Sequence, residues 1–247
     1  MRLAPAPILA ACLLAAAGGL TGCTSRTDAS AEESATVSDA RSDTASTPSG
    51  EWRSLFDGST LAGWRGFRQD SAPAGWTVRD GAITRVGGGG DLVTADQFGS
   101  FELELEWRVE PGGNSGVLYR VTEDADQSYH TGPEMQVLDD AGHADGRSRL
   151  TAAGAVYGLY PAPEGVVKPA NEWNRARLVV NGSHVEHWLN GTRMAGYELG
   201  SPDWERRVAE SKFAAWKGYG RAARGHIALQ DHGDLVQYRG IRIRELP

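Results

Sequence analysis

Beyond residue 50, apolar and polar residues alternate with the two-residue period of a strand, in short runs separated by turn signals. Phe101–Val109, FELELEWRV, shows this most plainly. Phe101, Leu103, Leu105, Trp107 and Val109 form one face, and Glu102, Glu104, Glu106 and Arg108 the other. The glutamates mimic a metal site, but a solvated outer sheet face accounts for them better. In Gly116–Val121, the residues Val117, Tyr119 and Val121 share one face, with Leu118 and Arg120 opposite. In Glu134–Leu138, Met135 and Val137 oppose Glu134, Gln136 and Leu138. These apolar strands therefore carry a second face bearing a guanidinium, a carboxylate and an amide, groups suited to meet over a cleft. Near the end of the chain, Ile227 and Leu229 are backed by His226, Gln230 and His232, while Ile241 and Ile243 point in and Arg242 and Arg244 point out.

Turn signals join these runs. Asp80-Gly81 splits Trp76–Thr84 into a hairpin, Asn181-Gly182 joins 175–180 to 184–189, and Asn190-Gly191 makes the next turn. The glycine run 87–90 lacks the helix and the Lys-Ser/Thr pair that a phosphate loop needs, and it reads as a turn. His184 and His187, three apart on a strand, face opposite sides, which argues against shared metal ligation. A helix is predicted only over Trp204–Phe213, after Pro202 and Asp203, with Lys212 near its end. Many short strands, good turns and one short helix predict an all-β sandwich of jelly-roll type. Helices do not alternate with strands, so a parallel α/β fold is disfavoured.

Composition narrows the class. The chain has 247 residues and a formal net charge of −7. Its length fits one domain, placed here at 51–247, and its acidity argues against a nucleic-acid partner. The 32 Gly and 8 Trp suit a turn-rich sandwich that meets sugars, although core burial explains tryptophans equally well. Residues 1–22 read as a targeting segment: Met1-Arg2, then an apolar run to Leu20. Leu20-Thr21-Gly22-Cys23 resembles a bacterial lipobox, in which the cysteine is lipidated and becomes the first mature residue. A membrane-spanning helix fits less well, because the apolar run is short and ends at Cys23. Cys12 lies in the removed segment, so no disulfide forms within the domain. Residues 23–50, rich in Ser, Thr, Ala and Asp, read as a flexible tether. The expected location is the cell envelope, with the protein exported across the inner membrane and anchored by lipid.

Several segments together resemble the 3-keto-disaccharide hydrolase family: LFDGSTLAGW (55–64), WTVRDGAI (76–83), DLVTADQFGSFELELEWRV (91–109), GGNSGVLYRV (112–121), GPEMQVLDD (132–140), EWNRARLVV (172–180), HWLNG (187–191), SKF (211–213) and GHIALQDHGDLVQYRGIRIREL (225–246). They span nearly the whole domain. Gly240 departs from the family, which usually has Asn there. The resemblance implies a concanavalin/laminin-G-like jelly roll and cleavage of glycosides oxidised at C3 of the sugar, with a sugar 3-dehydrogenase as the source of substrate. A C3 ketone acidifies the C2 proton. A base removes it, an enolate forms, the C1 oxygen leaves, and water then adds back. Such a site needs a base, an acid and a cation for the enolate oxygen, and not the paired carboxylates of an ordinary glycosidase.

With that chemistry in view, Glu134 and His232 are candidates for base and acid, in either assignment. Arg120 and Lys212 would hold the oxyanion. Asn114, Gln136 and Gln230 suit sugar hydroxyls, and Trp216 suits a sugar face. Asp139, Asp140, His143 and Asp145 lack calcium-loop spacing and read better as a solvated loop than as a cation site. A divalent metal on the ketone would ease enolisation, and the residues leave open whether one is used. The rival reading is a non-catalytic carbohydrate-binding module displayed on the cell surface, which would need aromatic platforms and amides but no base. Lipid anchoring predicts that Cys23→Ser moves the protein out of the membrane fraction. Retention in the membrane with the signal uncleaved would make the segment an anchor helix.

Overall fold

The computed structural model describes residues 50–247, so the targeting segment, Cys23 and nearly all of the tether lie outside the described residues. The strands are β1 (Arg53–Ser54), β2 (Trp64–Gly66), β3 (Trp76–Arg79), β4 (Ala82–Arg85), β5 (Leu92–Thr94), β6 (Phe101–Val109), β7 (Asn114–Val121), β8 (Glu134–Leu138), β9 (Asn174–Asn181), β10 (His184–Leu189), β11 (Thr192–Glu198), β12 (His226–Leu229) and β13 (Val236–Glu245). They form two antiparallel sheets. The larger runs β11-β10-β9-β6-β13-β4-β3, with β1 on β13; the smaller runs β2-β5-β12-β7-β8. The fold is thus a jelly-roll β-sandwich. Late strands sit beside early ones: β13 pairs with β6, and β12 lies between β5 and β7.

Alternation explains the two layers. Leu103, Leu105, Ala176 and Leu178 of the larger sheet meet Val117 and Met135 of the smaller. Burying such side chains stabilises the sandwich by roughly 1.5–3 kcal/mol each. The opposite face of β6 does not meet bare solvent. Glu102 pairs with Arg177 and Arg244, Glu104 with Arg175 and Arg242, and Glu106 with Arg239. Each arginine comes from a neighbouring strand, so the glutamates form a cross-strand ion-pair lattice.

Two local features differ from the sequence expectation, the turn after β9 and the end of the helix. Asp80-Gly81 and Asn190-Gly191 form two-residue turns, with both residues of each at positive φ. Asn181, however, stays in the ladder opposite His184, so that turn is Gly182-Ser183, opened by Gly182 at φ +58°. The helix α1 spans Pro202–Ala209 and stops short of residue 213. Its start is set by Ser201, whose hydroxyl accepts the Trp204 N–H at 3.2 Å, and by Pro202 just inside. Ser211 then accepts the Phe213 N–H at 3.2 Å and starts a separate 3₁₀ turn, Lys212–Ala215. His184 and His187 do face opposite sides. His184 meets Glu198 at 2.6 Å, while His187 is fully buried, 3.0 Å from the Tyr119 hydroxyl.

Candidate active site

The site is built on the outer face of the smaller sheet. Leu118, Val121, Val93 and Ala228 form an apolar patch there, covered by Phe67 and Tyr129. Beside it opens a cleft of about 740 Å³, lined by Asn114, Glu134, Gln136, Lys212, Trp216, Gln230 and His232, together with Asp91, Tyr157 and other residues. Residues far apart in the chain meet there because β12 lies between β5 and β7, with β8 beyond β7.

Glu134 is the central group. It is 8 % exposed, and its carboxyl makes no hydrogen bond to a described residue. Burial pushes its pKa up to about 8; the Lys212 ammonium offsets part of that rise, and the carboxylates of Asp91 and Asp145 add to it. Near neutral pH it therefore carries a proton. The folded chain holds that proton more tightly than the unfolded chain does, so the stability it contributes is full below about pH 4.5 and is lost as pH rises towards 8.

Backbone pairing fixes where this carboxyl sits. Gly116 pairs with Gln136 across β7 and β8, and Glu134 folds back over the glycine; a Cβ at Gly116 would lie 2.3 Å from Glu134 Oε1. On the far edge of β8, the segment after Thr151 runs alongside: Tyr157 N–H donates to the Glu134 carbonyl and Gly154 N–H to that of Gln136. This places the Tyr157 ring by the cleft, with Lys212 Nζ 4.4 Å from its centroid. Lys212 is held by its neighbour Phe213, which is buried and stacks on Tyr219 at 4.2 Å.

Amides and aromatics complete the walls. Asn114 Nδ2 lies 3.4 Å from His232 Nε2, and Gln136 Nε2 donates to the Thr151 carbonyl at 3.1 Å. The oxygens Asn114 Oδ1 and Gln136 Oε1 are buried with no hydrogen-bond partner among the described residues. Buried acceptors of this kind are costly unless a donor meets them, and a sugar hydroxyl is such a donor. Trp216 is half-buried and packs on His130 at 4.4 Å and Tyr129 at 5.4 Å, forming an aromatic wall.

The family model described as "3-keto-alpha-glucoside-1,2-lyase-like domain" matches residues 51–244. The chain belongs to this family. A 3-keto-disaccharide hydrolase from Bacteroides thetaiotaomicron is 36% identical over 224 residues, covering 78% of this chain and 77% of that protein. Among solved structures, a candidate glycosyl hydrolase from Parabacteroides distasonis superposes with a TM-score of 0.75 at 32% identity, over 80% of this chain and 94% of that one. A second from the same organism gives 0.63 at 30% identity, over 79% and 100%.

Within this member of the lyase-like family, one expected site residue lies elsewhere. Arg120 does not face the cleft. Between Leu118 and Val121 the ladder to β12 gains one residue, a bulge with Arg120 at φ +52°. The alternation resets there, so Val121 joins Leu118 on the outer face. Arg120 turns away, donating to the carbonyls of Gly99 and Gly182. It forms no ion pair with Glu134.

The acidic loop is tied both to itself and to the neighbouring chain. Asp139 accepts from Gly112 N–H at 2.8 Å, Asp140 accepts from Ala153 N–H at 2.7 Å, and His143 accepts from Asp145 N–H at 3.1 Å.

Asp91 was missed from sequence. It stands on the cleft, its pKa raised by burial, accepting the Ser128 hydroxyl and the Asp231 N–H. Its signal was available: it alternates with Val93, which lies on the outer face. Tyr157 gave none, since its loop has no periodicity.

The geometry predicts that Gly116→Ala displaces the Glu134 carboxyl while leaving the sheet intact. Kcat/KM should fall by about 10²-fold or more with an unchanged circular dichroism spectrum. Full activity in the folded variant would show that the position of Glu134 does not matter.

Proposed function

We propose that this protein cleaves the C1–O bond of glycosides that carry a ketone at C3. Its membership of the lyase-like family makes it a glycosidic-bond-cleaving enzyme. The 3-keto substrate rests on the names of the family and of the Bacteroides relative, and on the chemistry of the cleft. At about 740 Å³ the cleft is within the roughly 300–1,000 Å³ typical of ligand sites.

The observation that carries the proposal is a buried carboxyl, Glu134, kept protonated near neutral pH beside a lysine. In this reading His232 removes the C2 proton, and the bonding pair moves toward the C3 ketone as an enolate. The Lys212 ammonium stabilises the oxygen that gains charge. The enolate pair then forms the C1–C2 double bond, the C1–O bond breaks, and Glu134 gives its proton to the departing oxygen. Water adding across the new double bond makes the net change a hydrolysis. Asn114, Gln136 and Gln230 take sugar hydroxyls, and Trp216 takes a ring face. Arg120 has no part in this scheme, so Lys212 alone carries the oxyanion role.

Two rivals fit less well. A binding module has no use for a buried titratable carboxyl on its sugar face. A two-carboxylate glycosidase finds a second carboxylate in Asp91, but both its oxygens already accept hydrogen bonds from the protein. Lipid anchorage at Cys23, and a dehydrogenase supplying the ketone, belong to the same proposal.

The test is incubation with a 3-keto disaccharide and with its unoxidised parent. Cleavage of the keto sugar alone is expected, and Glu134→Gln should lose about 10²–10⁴-fold in kcat while still binding it. Equal cleavage of both sugars, or full turnover by Glu134→Gln, would contradict the proposal.

A further inference from the structure

Arg120, displaced from the cleft, is a charged group without a charged partner. The residue is 6 % exposed, and no carboxylate of the described residues forms an ion pair with it. Nη2 donates to the carbonyls of Gly182 at 2.6 Å and Gly99 at 3.2 Å, and Nε to Gly99 at 3.4 Å. Nη1 makes no hydrogen bond to a described residue. Burial of this isolated cation lowers its pKa. A buried guanidinium normally faces a carboxylate, because carbonyl dipoles alone leave its charge largely uncompensated.

Beside Arg120 lies a second groove of about 500 Å³ that shares no lining residue with the cleft. Gly99, Ser100, Gly182 and Ser183 form one wall, and the segment around Arg221 forms the other. Small residues leave backbone and hydroxyl groups within reach of a compact ligand. The Ser100 hydroxyl already accepts the Gly182 N–H at 3.0 Å, which fixes the hairpin that holds Arg120. Arg221 stands at the rim with its charge paired by Glu205, which leaves Arg120 as the unpaired cation of the groove. The groove thus offers the Nη1 edge of the guanidinium, the Ser100 hydroxyl and room, while the carboxylates at its edges, Glu198 on the Ser183 hydroxyl and Glu205 on Arg221, are each held by those partners and pair with no atom of Arg120.

We infer that this groove is an anion site, taking a carboxylate or phosphate group on Arg120. The chemistry admits two sources, a sugar acid and inorganic or sugar phosphate. The site is independent of the cleft and of the reaction proposed for it. Its guanidinium is preorganised by three hydrogen bonds to carbonyls, so an incoming anion would lose little side-chain entropy on the protein side.

Thermal unfolding of the full protein tests this in sodium phosphate, in glucuronate, in glucose, and in sodium chloride at matched ionic strength. At about ten times its Kd, the matching anion should raise Tm by about 3–5 °C for a domain of this size. Whichever of phosphate and glucuronate acts more strongly identifies the source. Ala223→Glu supplies the control. Residue 223 is exposed and lines the groove, so the variant places a carboxylate there from within. It should show a higher Tm without added anion and lose the anion-dependent rise. Phosphate's general salt effect persists in the variant, so only the difference between the two proteins counts. Arg120→Met should lose the rise as well, and if it does not fold, Ala223→Glu alone decides. Equal anion responses in wild type and Ala223→Glu would show that Gly99 and Gly182 satisfy Arg120 and that no anion site exists.

Discussion

The register of β7 and β8 against the opposite sheet is the constraint on which the cleft depends. Val117, Met135 and Val137 are buried, which leaves Asn114, Glu134 and Gln136 no place but the outer face. A slip of one residue would exchange the two sets and bury three polar side chains in an apolar layer. The same burial that stabilises the sandwich therefore orients the site. Gly116 completes the arrangement, because any side chain there would occupy the space of the Glu134 carboxyl.

The electrostatics follow from this placement. A carboxyl held on a half-covered face, with Asp91 and Asp145 near enough to oppose its ionisation, keeps its proton. Lys212 arrives from a 3₁₀ turn outside both sheets and counteracts only part of this. The result is a neutral acid beside a cation, close to two amide oxygens that lack partners among the described residues. A protonated acid and a cation are what an elimination requires at its leaving oxygen and its enolate oxygen. Nothing in the arrangement needs a pair of ionised carboxylates.

Much of this was legible in the sequence, for a physical reason. Two-residue alternation in Phe101–Val109, Glu134–Leu138 and the 225–230 region reports directly on which face is buried, and Asp-Gly and Asn-Gly turns mark the hairpins. Glu134, Gln136, Gln230 and His232 could be placed on one surface from that pattern together with jelly-roll connectivity. Arg120 could not, because alternation assumes an unbroken ladder and a bulge breaks it. The positive φ at Arg120 has no signature in residue type, since it is not glycine. The helix end was misjudged because Ser211 follows an apolar-periodic stretch and restarts the chain as a new turn. Asp91 was hidden because it falls between the glycine run and β5, a strand of only three residues in which alternation has little length to show itself.

Everything proposed for the cleft turns on whether Glu134 holds its proton near neutral pH. Infrared difference spectroscopy can measure this directly, by following the carboxylic C=O band that is present in the wild type and absent from Glu134→Gln as pH is raised. The structure predicts that the band disappears with a midpoint at about 8. A midpoint at or below the ordinary 4.5 would mean that Glu134 is ionised in the working enzyme, and would contradict its role as the acid.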